Sequence, residues 1–445
     1  MYTTLQWGET MKTIKYPSSI QWEVTSFCNH DCVHCYNYWR SNDTKKEDIK
    51  FNNRVDENYY LKMAKKLVEA KPVRVTITGG EPLSIFDKIK SSIKLLISNN
   101  IVVTINTNIA LLNDEIAKFL QENNIKLFVS LPSANEKICD EITNVKNSLR
   151  NIYRGIKLAQ KYGISVNTNM VISKLNYHTI YETALFVKEK LNSNYFCVTK
   201  ASLPINAKED FANKILSLDE INMMFDELIK IKNELNMNID SSTVYCLCGL
   251  DNENIINELY SKRFCNAGRT TFAMTSNGDI KACARDDKIY GNIMNDSFED
   301  VIEKMEEWQN GSLFPIECKN CKSISICGTG CRLDAKSTTG SLNKLDYTCN
   351  LDNLNRTLTI KKPILNQDMI LSLNPETITI QENNFVRLSH KSGFNYVSNE
   401  FYKFISENKL FTINDIISNF NIPSQIINDQ IYNLIKLGIL LKEVK

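Results

Sequence analysis

The stretch Cys28-Asn29-His30-Asp31-Cys32-Val33-His34-Cys35 places three thiols within eight residues, in a Cys-x3-Cys-x2-Cys arrangement. A structural zinc site generally needs four ligands, often supplied by paired Cys-x2-Cys units. This stretch offers three cysteines with no fourth nearby, and thiolates are the ligands that iron–sulfur clusters require. We therefore interpret it as the binding loop of a [4Fe–4S] cluster whose fourth iron is left open, where a small molecule can bind.

Around this loop, short apolar segments alternate with amphipathic ones from about residue 18 to residue 200. Repeated strand–helix units predict an α/β fold with a parallel sheet or partial barrel, whose functional residues lie at the C-terminal ends of the strands. The three-cysteine loop directly follows the first predicted strand, as this rule expects. The predicted strands are Ile20–Val24, Val73–Thr78, Val102–Asn106, Leu127–Ser130, Ser165–Val171 and Tyr195–Thr199. The predicted helices include Glu57–Ala70, Asp114–Gln121, Leu149–Tyr162 and His178–Leu191.

The composition limits the possible classes of protein. The formal net charge is +2, which gives no global basis for binding nucleic acid or a membrane surface. No apolar run approaches the length of a transmembrane helix, and the first residues lack the apolar core of a signal peptide. Fourteen cysteines without an export signal predict a cytoplasmic location and metal ligands rather than disulfides. Because there are only four histidines, we expect the metal sites to be dominated by sulfur.

Three regions of different character follow one another. The strand–helix alternation predicts a first domain over residues 1–240. Nine of the fourteen cysteines fall between residues 246 and 349, which predicts a metal-stabilised second domain over residues 241–360. No cysteine follows residue 360, and a small third domain is predicted over residues 366–445. Its predicted elements are a hairpin of Ile378–Gln381 and Phe385–Leu388, then helices near Glu400–Ser406, Ile413–Phe420 and Ser424–Leu437.

A second motif, Gly79-Gly80-Glu81-Pro82, directly follows the second predicted strand. Glycines let a ligand approach the backbone closely, and an adjacent carboxylate can bind an ammonium group. On its own such a sequence usually forms an ordinary turn. Its position after a strand that neighbours the three-cysteine loop favours a role in the site.

Together, the two motifs resemble the radical S-adenosylmethionine (SAM) superfamily. The resemblance implies a partial (β/α)6 barrel in which Cys28, Cys32 and Cys35 hold a [4Fe–4S] cluster. The open iron would bind the amino and carboxylate groups of SAM. The implied activity is cleavage of SAM to methionine and a 5′-deoxyadenosyl radical, which abstracts a hydrogen atom from the substrate. A flavodoxin or ferredoxin is the expected one-electron donor.

The resemblance also implies contacts between the protein and SAM. The positions concerned are Gly79, Gly80 and Glu81 at the methionine amino group, Thr107 and Asn108 where the family often has a Thr-Asn-Gly turn, Ser130 at the end of the fourth strand, Asn169 on the fifth, and Tyr36 near the adenine. Ordinary strand-end polarity is the alternative explanation of Ser130, Asn108 and Asn169.

The chain departs from the family pattern at two places. The usual Ser-Leu-Asp-Gly sequence is Ser130-Leu131-Pro132-Ser133 here. Thr143 stands where the family often has an arginine. We therefore assign no carboxylate-binding arginine, and no catalytic base.

The cysteines of the second region resemble a SPASM domain, which carries two auxiliary iron–sulfur clusters in radical enzymes that modify peptides. Seven cysteines and Gly278 follow its spacing. The resemblance assigns Cys318, Cys321, Cys327 and Cys349 to the second auxiliary cluster, and Cys265, Cys283 and Cys331 to the first. Two zinc ions are the alternative.

Four further cysteines lie outside this spacing and the N-terminal loop. Cys246 or Cys248 is a candidate for the fourth ligand of the first auxiliary cluster; otherwise one iron is open to a substrate thiolate. Cys139 and Cys197 lie in barrel-like segments, and we expect them to be small buried side chains.

The third region resembles the winged-helix-like RiPP recognition elements, which serve the maturation of ribosomally made peptides. Those domains bind a leader peptide by adding it as a strand to the edge of their hairpin. The resemblance lies in the hairpin, the turn at Leu388–Gly393, three helices and the ending Leu437-Gly438-Ile439-Leu440. A winged helix kept for packing or dimerisation is the alternative. DNA binding is disfavoured because the last helices carry few arginines.

These resemblances predict a radical SAM peptide maturase that installs a thioether or carbon–carbon crosslink in a ribosomally made precursor peptide. Formylglycine formation, as in sulfatase-maturing enzymes, is disfavoured. The expected aspartate base would directly follow Cys283, where Ala284 stands, and Asp286 comes too late. An enzyme that oxidises another protein side chain or modifies a small molecule is an alternative, and a non-catalytic metal-binding adaptor is a remote one.

Overall fold

The main body of the protein is an α/β unit built on one ten-stranded sheet. The computed structural model describes residues 14–36, 54–204, 209–257, 265–356, 358, 364–390, 393–420 and 422–443. The first seven strands are parallel and lie side by side in chain order. They are β1 (Ser19–Thr25), β2 (Arg74–Gly79), β3 (Val102–Thr107), β4 (Lys126–Ser130), β5 (Val166–Ile172), β6 (Tyr195–Lys200) and β7 (Asn238–Ser241). The six strands predicted from the sequence are confirmed to within one residue at each end.

Helices connect these strands, which confirms the predicted α/β fold with a parallel sheet. Polar caps define several helix starts: for example, the side chain of Asn113 accepts a hydrogen bond from the N–H of Ile116. The helices of this part are α1 (Glu57–Glu69), α2 (Phe86–Ser98), α3 (Asp114–Glu122), α4 (Glu136–Thr143), α5 (Ser148–Lys161), α6 (Ile180–Glu189), α7 (Glu209–Ala212) and α8 (Leu218–Leu235).

The cysteine-rich region continues the same sheet. Its strands are β8 (Thr271–Met274), β9 (Asp279–Lys281) and β10 (Gly291–Asn292). β8 pairs in parallel with the free side of β1, from Ser19↔Thr271 to Trp22↔Met274. The strand order β10-β9-β8-β1 through β7 leaves two edges, so the sheet is open, as a partial barrel requires. The sequence did not predict this extension.

Short helices complete the cysteine-rich region. They are α9 (Glu253–Ile255), α10 (Phe298–Glu303), α11 (Glu306–Gln309), α12 (Ile324–Cys327) and α13 (Arg332–Thr339). Apolar residues of this region, such as Phe272 and Leu333, belong to the same buried cluster as Ile20 and Trp22 of β1. The barrel strands and the cysteine-rich region therefore share one hydrophobic core.

The C-terminal residues form a smaller unit with a core of its own, which includes Leu371, Leu388, Phe401 and Ile431. Two three-stranded sheets run in the orders β15-β11-β16 and β12-β13-β14. The predicted hairpin is confirmed as β12 and β13, and the three predicted helices are present. The elements are β11 (Ile370–Leu373), β12 (Ile378–Gln381), β13 (Phe385–His390), β14 (Gly393–Ser398), α14 (Asn399–Glu407), β15 (Phe411–Thr412), α15 (Ile413–Asn419), α16 (Ser424–Lys436) and β16 (Leu440–Lys442).

Arg387 joins this C-terminal unit to the main sheet. Its guanidinium is buried and donates to the carbonyl oxygens of Pro17 (2.9 Å) and Lys71 (2.5 Å). Pro17 precedes β1 and Lys71 precedes β2. The C-terminal unit therefore packs at the N-terminal ends of the strands, opposite the three-cysteine loop. Within the described part of the chain, no helix is both long and apolar enough to cross a membrane.

Candidate functional site

The three-cysteine loop lies at the C-terminal end of β1 and is held by the end of α4. The N–H of Asp31 donates to the carbonyl oxygen of Thr143 at 3.0 Å. Thr143, which stands where the family often has an arginine, thus supports the loop through its backbone. Within the loop, the N–H of His30 donates to Sγ of Cys28 at 3.4 Å. The three cysteines form no disulfide and are only partly buried.

Gly79 and Gly80 pack directly against the backbone that leads into this loop. A Cβ atom on Gly80 would lie 1.9 Å from the carbonyl oxygen of Phe27, and one on Gly79 would lie 2.2 Å from that of Thr25. Gly79 also has a φ of +129°, which glycine adopts at little cost. The structure shows that these glycines allow the close approach of the backbone at Thr25 and Phe27. Their contacts with a ligand stay predictions.

Glu81 is fully buried and joins the ends of β2 and β3. Its carboxylate accepts hydrogen bonds from the N–H of Leu83 (2.9 Å), the hydroxyl of Thr107 (2.7 Å) and the N–H of Asn108 (2.8 Å). Burial raises the pKa of Glu81 to about 7, and the three hydrogen bonds act in the opposite direction. Glu81 therefore determines where Thr107 and Asn108 lie. Its assignment to the methionine amino group stays a prediction.

Asn108 connects this carboxylate to the cysteine loop. Its Nδ2 donates to Oδ1 of Asn29 at 2.8 Å and lies 3.7 Å from Sγ of Cys28. A hydrogen bond to a thiolate stabilises the charged form of the thiol. The structure thus gathers Glu81, Thr107 and Asn108 beside Cys28.

Ser130 and Asn169 are paired neighbours at the ends of β4 and β5. Ser130 is exposed, whereas Asn169 is largely buried and its Oδ1 accepts a hydrogen bond from the hydroxyl of Thr199 at 2.8 Å. Paired residues of parallel strands point to the same face of the sheet. The two side chains therefore share one face, and their contacts with a cofactor stay predictions.

Tyr36 lies where the loop, β1 and the cysteine-rich region meet. It directly follows Cys35 and is half-buried. Burial raises the pKa of Tyr36 well above its usual range, and the negative charges of Glu23, Cys35 and Cys283 add to the effect. Since these groups come from all three parts, Tyr36 marks the point where they adjoin.

A buried ion pair beside Tyr36 was not predicted from the sequence. Glu23 on β1 and Lys281 on β9 are almost fully buried, with Oε2 and Nζ 3.4 Å apart. Apart from Lys281, neither carboxylate oxygen of Glu23 has a hydrogen-bond partner among the described residues. Burial raises the pKa of Glu23 to about 7, and the charge of Lys281 partly opposes this. The signal in the sequence was a charged residue in the middle of an apolar strand. Burying a charge is costly, so such a residue usually has a partner of opposite charge.

Six cysteines line one cavity of the cysteine-rich region, and we call them the second cysteine group. They are Cys246, Cys248, Cys318, Cys321, Cys327 and Cys349. Cys246 and Cys349 are joined as a disulfide, and the other four are free thiols. Burial and, to a smaller extent, the neighbouring thiolates of Cys327, Cys248 and Cys321 raise the pKa of Cys318 to about 12. A site of this kind favours a bound cation over free thiolates.

Cys265, Cys283 and Cys331 are the first cysteine group. Burial raises the pKa of both Cys283 and Cys331 to about 11. The charge of Cys331 also raises the pKa of Cys265, and the charge of Cys265 that of Cys283. Nη1 of Arg285 lies 3.4 Å from Sγ of Cys331. These are mutually close thiols that stay protonated near neutral pH unless positive charge is supplied.

Asp334 holds two cations beside this first group. One of its oxygens accepts from Nη2 of Arg285 at 2.5 Å, and the other is paired with the buried ammonium of Lys200 at the end of β6. The two cations lower the pKa of Asp334 against the effect of burial. The ion pairs therefore connect the barrel to the cysteine-rich region a second time, and no local sequence pattern predicts them.

Known proteins share these features. The sequence model of the Radical SAM superfamily matches residues 22–187, which include the loop and the Gly79–Glu81 turn. A cysteine-type anaerobic sulfatase-maturating enzyme of Clostridium novyi is 24% identical over 341 residues, covering 69% of this chain and 86% of the relative. The antilisterial bacteriocin subtilosin biosynthesis protein AlbA of Bacillus subtilis is 23% identical over 327 residues, covering 71% of this chain and 67% of the relative.

A solved structure shows the same fold. SuiB of Streptococcus suis, bound to its precursor peptide SuiA, superposes with a TM-score of 0.59 at 18% identity, covering 76% of each chain. SuiB has also been solved with bound S-adenosylmethionine. The likeness extends well beyond residues 22–187, so it includes part of the cysteine-rich region.

The residues at the end of β1 fit the cofactors of this superfamily, which uses a [4Fe–4S] cluster and SAM. Three cysteines that form no disulfide lie on one loop, and the amide of Asn108 faces Cys28. In the described ranges, no three His, Cys, Asp or Glu side chains converge as a single metal ion would need. A cluster instead distributes its thiolates over separate irons. Residues 22–187 of the chain are a radical SAM domain.

Proposed function

We propose that this protein is a radical SAM peptide maturase that installs a thioether or carbon–carbon crosslink in a ribosomally made precursor peptide. It would act in the cytoplasm with a flavodoxin or ferredoxin as electron donor. The observation that carries the proposal is the combination of two cysteine groups beside the radical SAM domain with a C-terminal unit that has an open strand edge. The cysteine groups would hold the clusters needed for oxidation, and the C-terminal unit would hold the peptide.

The loop cysteines Cys28, Cys32 and Cys35 would hold the SAM-binding cluster. When bound, cluster and SAM together supply one-electron cleavage of SAM and abstraction of a hydrogen atom from the substrate. Asn108 stabilises the thiolate of Cys28, and Glu81 keeps Asn108 in place. The polar residues at the strand ends would bind SAM and orient it, and the surrounding barrel would exclude water from the site.

Glu23 would accept the proton that crosslinking releases. Forming a crosslink removes two hydrogens from the peptide: one leaves as an atom, and the other leaves as a proton and an electron. A base with a pKa near the working pH transfers protons most effectively. Glu23 has such a pKa, about 7, and Lys281 holds the carboxylate in position. Auxiliary clusters held by the two cysteine groups would supply an acceptor for the electron.

Strand β12 of the C-terminal unit has an edge to which a peptide substrate could bind. β12 pairs with β13 on one side, and the sheet order places it at an edge. Three of its four side chains are exposed, including Ile378 at 39%. An edge strand can pair with an extended peptide through main-chain hydrogen bonds. We therefore assign leader binding to β12.

Anaerobic incubation with SAM, a reductant and a short peptide encoded beside this protein's gene tests the proposal. Mass spectrometry should show a peptide lighter by two hydrogens, together with 5′-deoxyadenosine. A Cys32→Ala variant is the control and should yield neither. An unchanged peptide without 5′-deoxyadenosine, under conditions in which the SAM-binding cluster is present, would refute the proposal.

Oxidation of a protein side chain is the second candidate, since a sulfatase-maturating relative covers most of this chain. Asp286, the nearest counterpart of the expected base, is buried and faces Lys336 at 4.0 Å. Its Oδ1 also accepts from the N–H of Lys288 at 3.2 Å. These contacts support a structural role for Asp286. A product that reacts with hydrazide reagents would reveal an aldehyde and favour this candidate over a crosslink.

A further inference from the structure

Arg74, the first residue of β2, carries a positive charge that the proposed mechanism does not use. Its Nε is buried and has no hydrogen-bond partner among the described residues. Burial lowers the pKa of the Arg74 guanidinium, and no described carboxylate opposes this effect. Burying an unpaired charge is costly, so a buried arginine normally has an acidic partner. A partner for Arg74 has to come from outside the described part of the chain.

Arg74 lies on the face of the sheet that the helices leave open. On the opposite face, Trp22 of β1 packs against Tyr60 of α1, with ring centroids 6.2 Å apart. Side chains alternate between the two faces of a strand, so Gln21 points away from α1. Gln21 is exposed although β1 is paired on both sides, and its partner Thr76 is two residues after Arg74. We call this accessible face the inner face of the partial barrel.

The inner face around Arg74 is polar but carries no acidic neighbour. The paired positions on either side of Arg74 are Ser19 on β1 and Val102 on β3. Farther along the same face, the hydroxyls of Thr76 and Thr104 lie 3.1 Å apart. None of these side chains can neutralise a guanidinium, so the inner face here favours a bound anion.

The other end of the inner face holds the Glu23–Lys281 ion pair. Glu23 is paired with Thr78, which lies four positions after Arg74 on β2. Since a strand rises about 3.3 Å per residue, the backbones at the two sites are roughly 13 Å apart. An extended peptide covers that distance with about four residues.

The C-terminal unit packs at the same end of the strands as Arg74. Arg387 donates to the carbonyl oxygen of Lys71, which is three residues before Arg74. A peptide whose leader is bound to β12 would therefore reach Arg74 before it reaches the cysteine loop. Because a leader precedes the modified segment, the peptide residue at Arg74 would precede the residue that reacts.

We propose that Arg74 binds the side-chain carboxylate of an Asp or Glu of the precursor peptide, about four residues before the residue that loses the hydrogen atom. Near neutral pH, a ribosomally made peptide carries negative charge on these side chains and at its C-terminus. A guanidinium can bind a carboxylate through two parallel hydrogen bonds, which fix its direction as well as its affinity. The inference rests on the proposed peptide substrate and adds which peptides the site accepts.

Peptide binding measured without SAM tests the proposal, because it needs no product. The probe is the labelled peptide encoded beside the gene, followed by fluorescence anisotropy, with each Asp or Glu changed singly to Asn or Gln. One such change should weaken binding to the unmodified protein about tenfold or more, and should have no effect on Arg74→Gln. Arg150→Gln, which removes an exposed arginine, should discriminate as the unmodified protein does.

The position of the coupled residue is the second part of the test. It should lie about four residues before the crosslinked residue that mass spectrometry identifies. Coupling of Arg74 to the C-terminal carboxylate alone, revealed by an amidated peptide, would overturn the proposal. Coupling to a residue after the crosslink, or to no acidic residue, would also overturn it.

A measurement without peptide separates this proposal from the proposed function. Glutarate should raise the melting temperature of the unmodified protein more than glutaramide does, and Arg74→Gln should abolish the difference. Arg74→Met keeps the apolar stem and removes the unpaired charge, so its urea midpoint should be at least as high as that of the unmodified protein.

A lower midpoint for Arg74→Met, or equal effects of glutarate and glutaramide, would show that Arg74 serves the fold and not a ligand. If glutarate distinguishes the unmodified protein from Arg74→Gln and no peptide binds, the proposed function fails and Arg74 remains a carboxylate site.

Discussion

Glu23 and Lys281 form a buried ion pair that joins the first strand of the radical SAM domain to the cysteine-rich region, with Oε2 and Nζ 3.4 Å apart. Glu23 lies five residues before Cys28, and Lys281 lies two residues before Cys283. Lys281 also donates to the carbonyl oxygen of Ala284 at 2.9 Å. The carboxylate of Glu23 has no comparable second contact among the described residues, so it is the member of the pair with capacity to accept a proton.

The first prediction concerns the proton acceptor. Glu23→Gln should lower crosslink formation by about 100-fold or more, as for the loss of a general base, while SAM cleavage continues. Burial raises the pKa of Glu23 to about 7, so the carboxylate is protonated below that pH. Crosslinking by the unmodified protein should therefore rise with pH through about 7, and the variant should lose this dependence. The measurement is the ratio of crosslinked peptide to 5′-deoxyadenosine across pH 6 to 8.

Two further variants serve as controls for this prediction. Glu23→Asp should restore part of the activity, because it keeps a carboxylate near Lys281. Glu69→Gln, an exposed change in α1, should leave the ratio unchanged. If Glu23→Gln lowered SAM cleavage and crosslinking equally, Glu23 would serve to assemble the site and not to accept a proton.

The second prediction concerns the turn that supports the loop. Gly80→Ala would place a methyl group 1.9 Å from the carbonyl oxygen of Phe27, so the loop must shift. We expect the protein to lose the iron of the SAM-binding cluster, about a third of the total for three clusters, while the auxiliary clusters remain. Gly163→Ala is the control: it also changes a glycine, at φ +70°, but a Cβ there meets nothing within 4 Å. Full iron content in Gly80→Ala would show that the close approach is not essential.

The third prediction concerns the buried carboxylate of Glu81. In Glu81→Gln, the amide can present one oxygen, so the N–H groups of Leu83 and Asn108 cannot both keep their acceptors. Leaving a buried N–H unsatisfied costs about 1–3 kcal/mol, and urea unfolding should show a loss of that size. Glu122→Gln, at an exposed helix end, serves as the comparison. An unchanged midpoint for Glu81→Gln would mean that the three hydrogen bonds contribute little.

The fourth prediction concerns the attachment of the C-terminal unit. Arg387→Ala removes both hydrogen bonds to Pro17 and Lys71. The leader peptide should bind with unchanged affinity, because β12 is intact, but crosslinking should fall because the bound peptide is no longer held relative to the barrel. Proteolysis between the main body and the C-terminal unit should become faster. Arg150→Ala, which removes an exposed arginine, should do none of this.

Local pattern was enough to predict the strands and the site beside them. Each of the six β-branched apolar segments contributes buried side chains to the core of the main body, and apolar segments of that kind are visible in sequence. Parallel strands align their C-terminal ends, so Cys28, Gly79 and Asn108 could be expected to meet once their strands were recognised. The packing roles of Gly79 and Gly80 were harder to predict, because the backbone they approach is more than fifty residues away in the sequence.

Pairings between distant segments could not be predicted in this way. β8 is four residues long and joins β1 across about 250 positions, and nothing local distinguishes it from a turn-rich loop. Glu23 and Lys281 find each other only through that pairing. Cysteine spacing showed that Cys248 was available but not which group it joins, because that depends on the turn at Leu247–Gly249 and its contact with Cys327.

The pairing of β1 with β8 also bears on how such a protein can change. A module attached by a flexible linker can be exchanged as a unit, and its distance from its neighbour varies with the linker. Here the loop with Cys35 follows β1, and Cys283 follows β9, which pairs with β8, the neighbour of β1 in the same sheet. The spacing between the two is therefore a property of the backbone. An evolutionary or engineered transplant of the cysteine-rich region would therefore have to preserve the outer edge of β1. The boundary drawn between the two regions by sequence runs through the middle of a sheet.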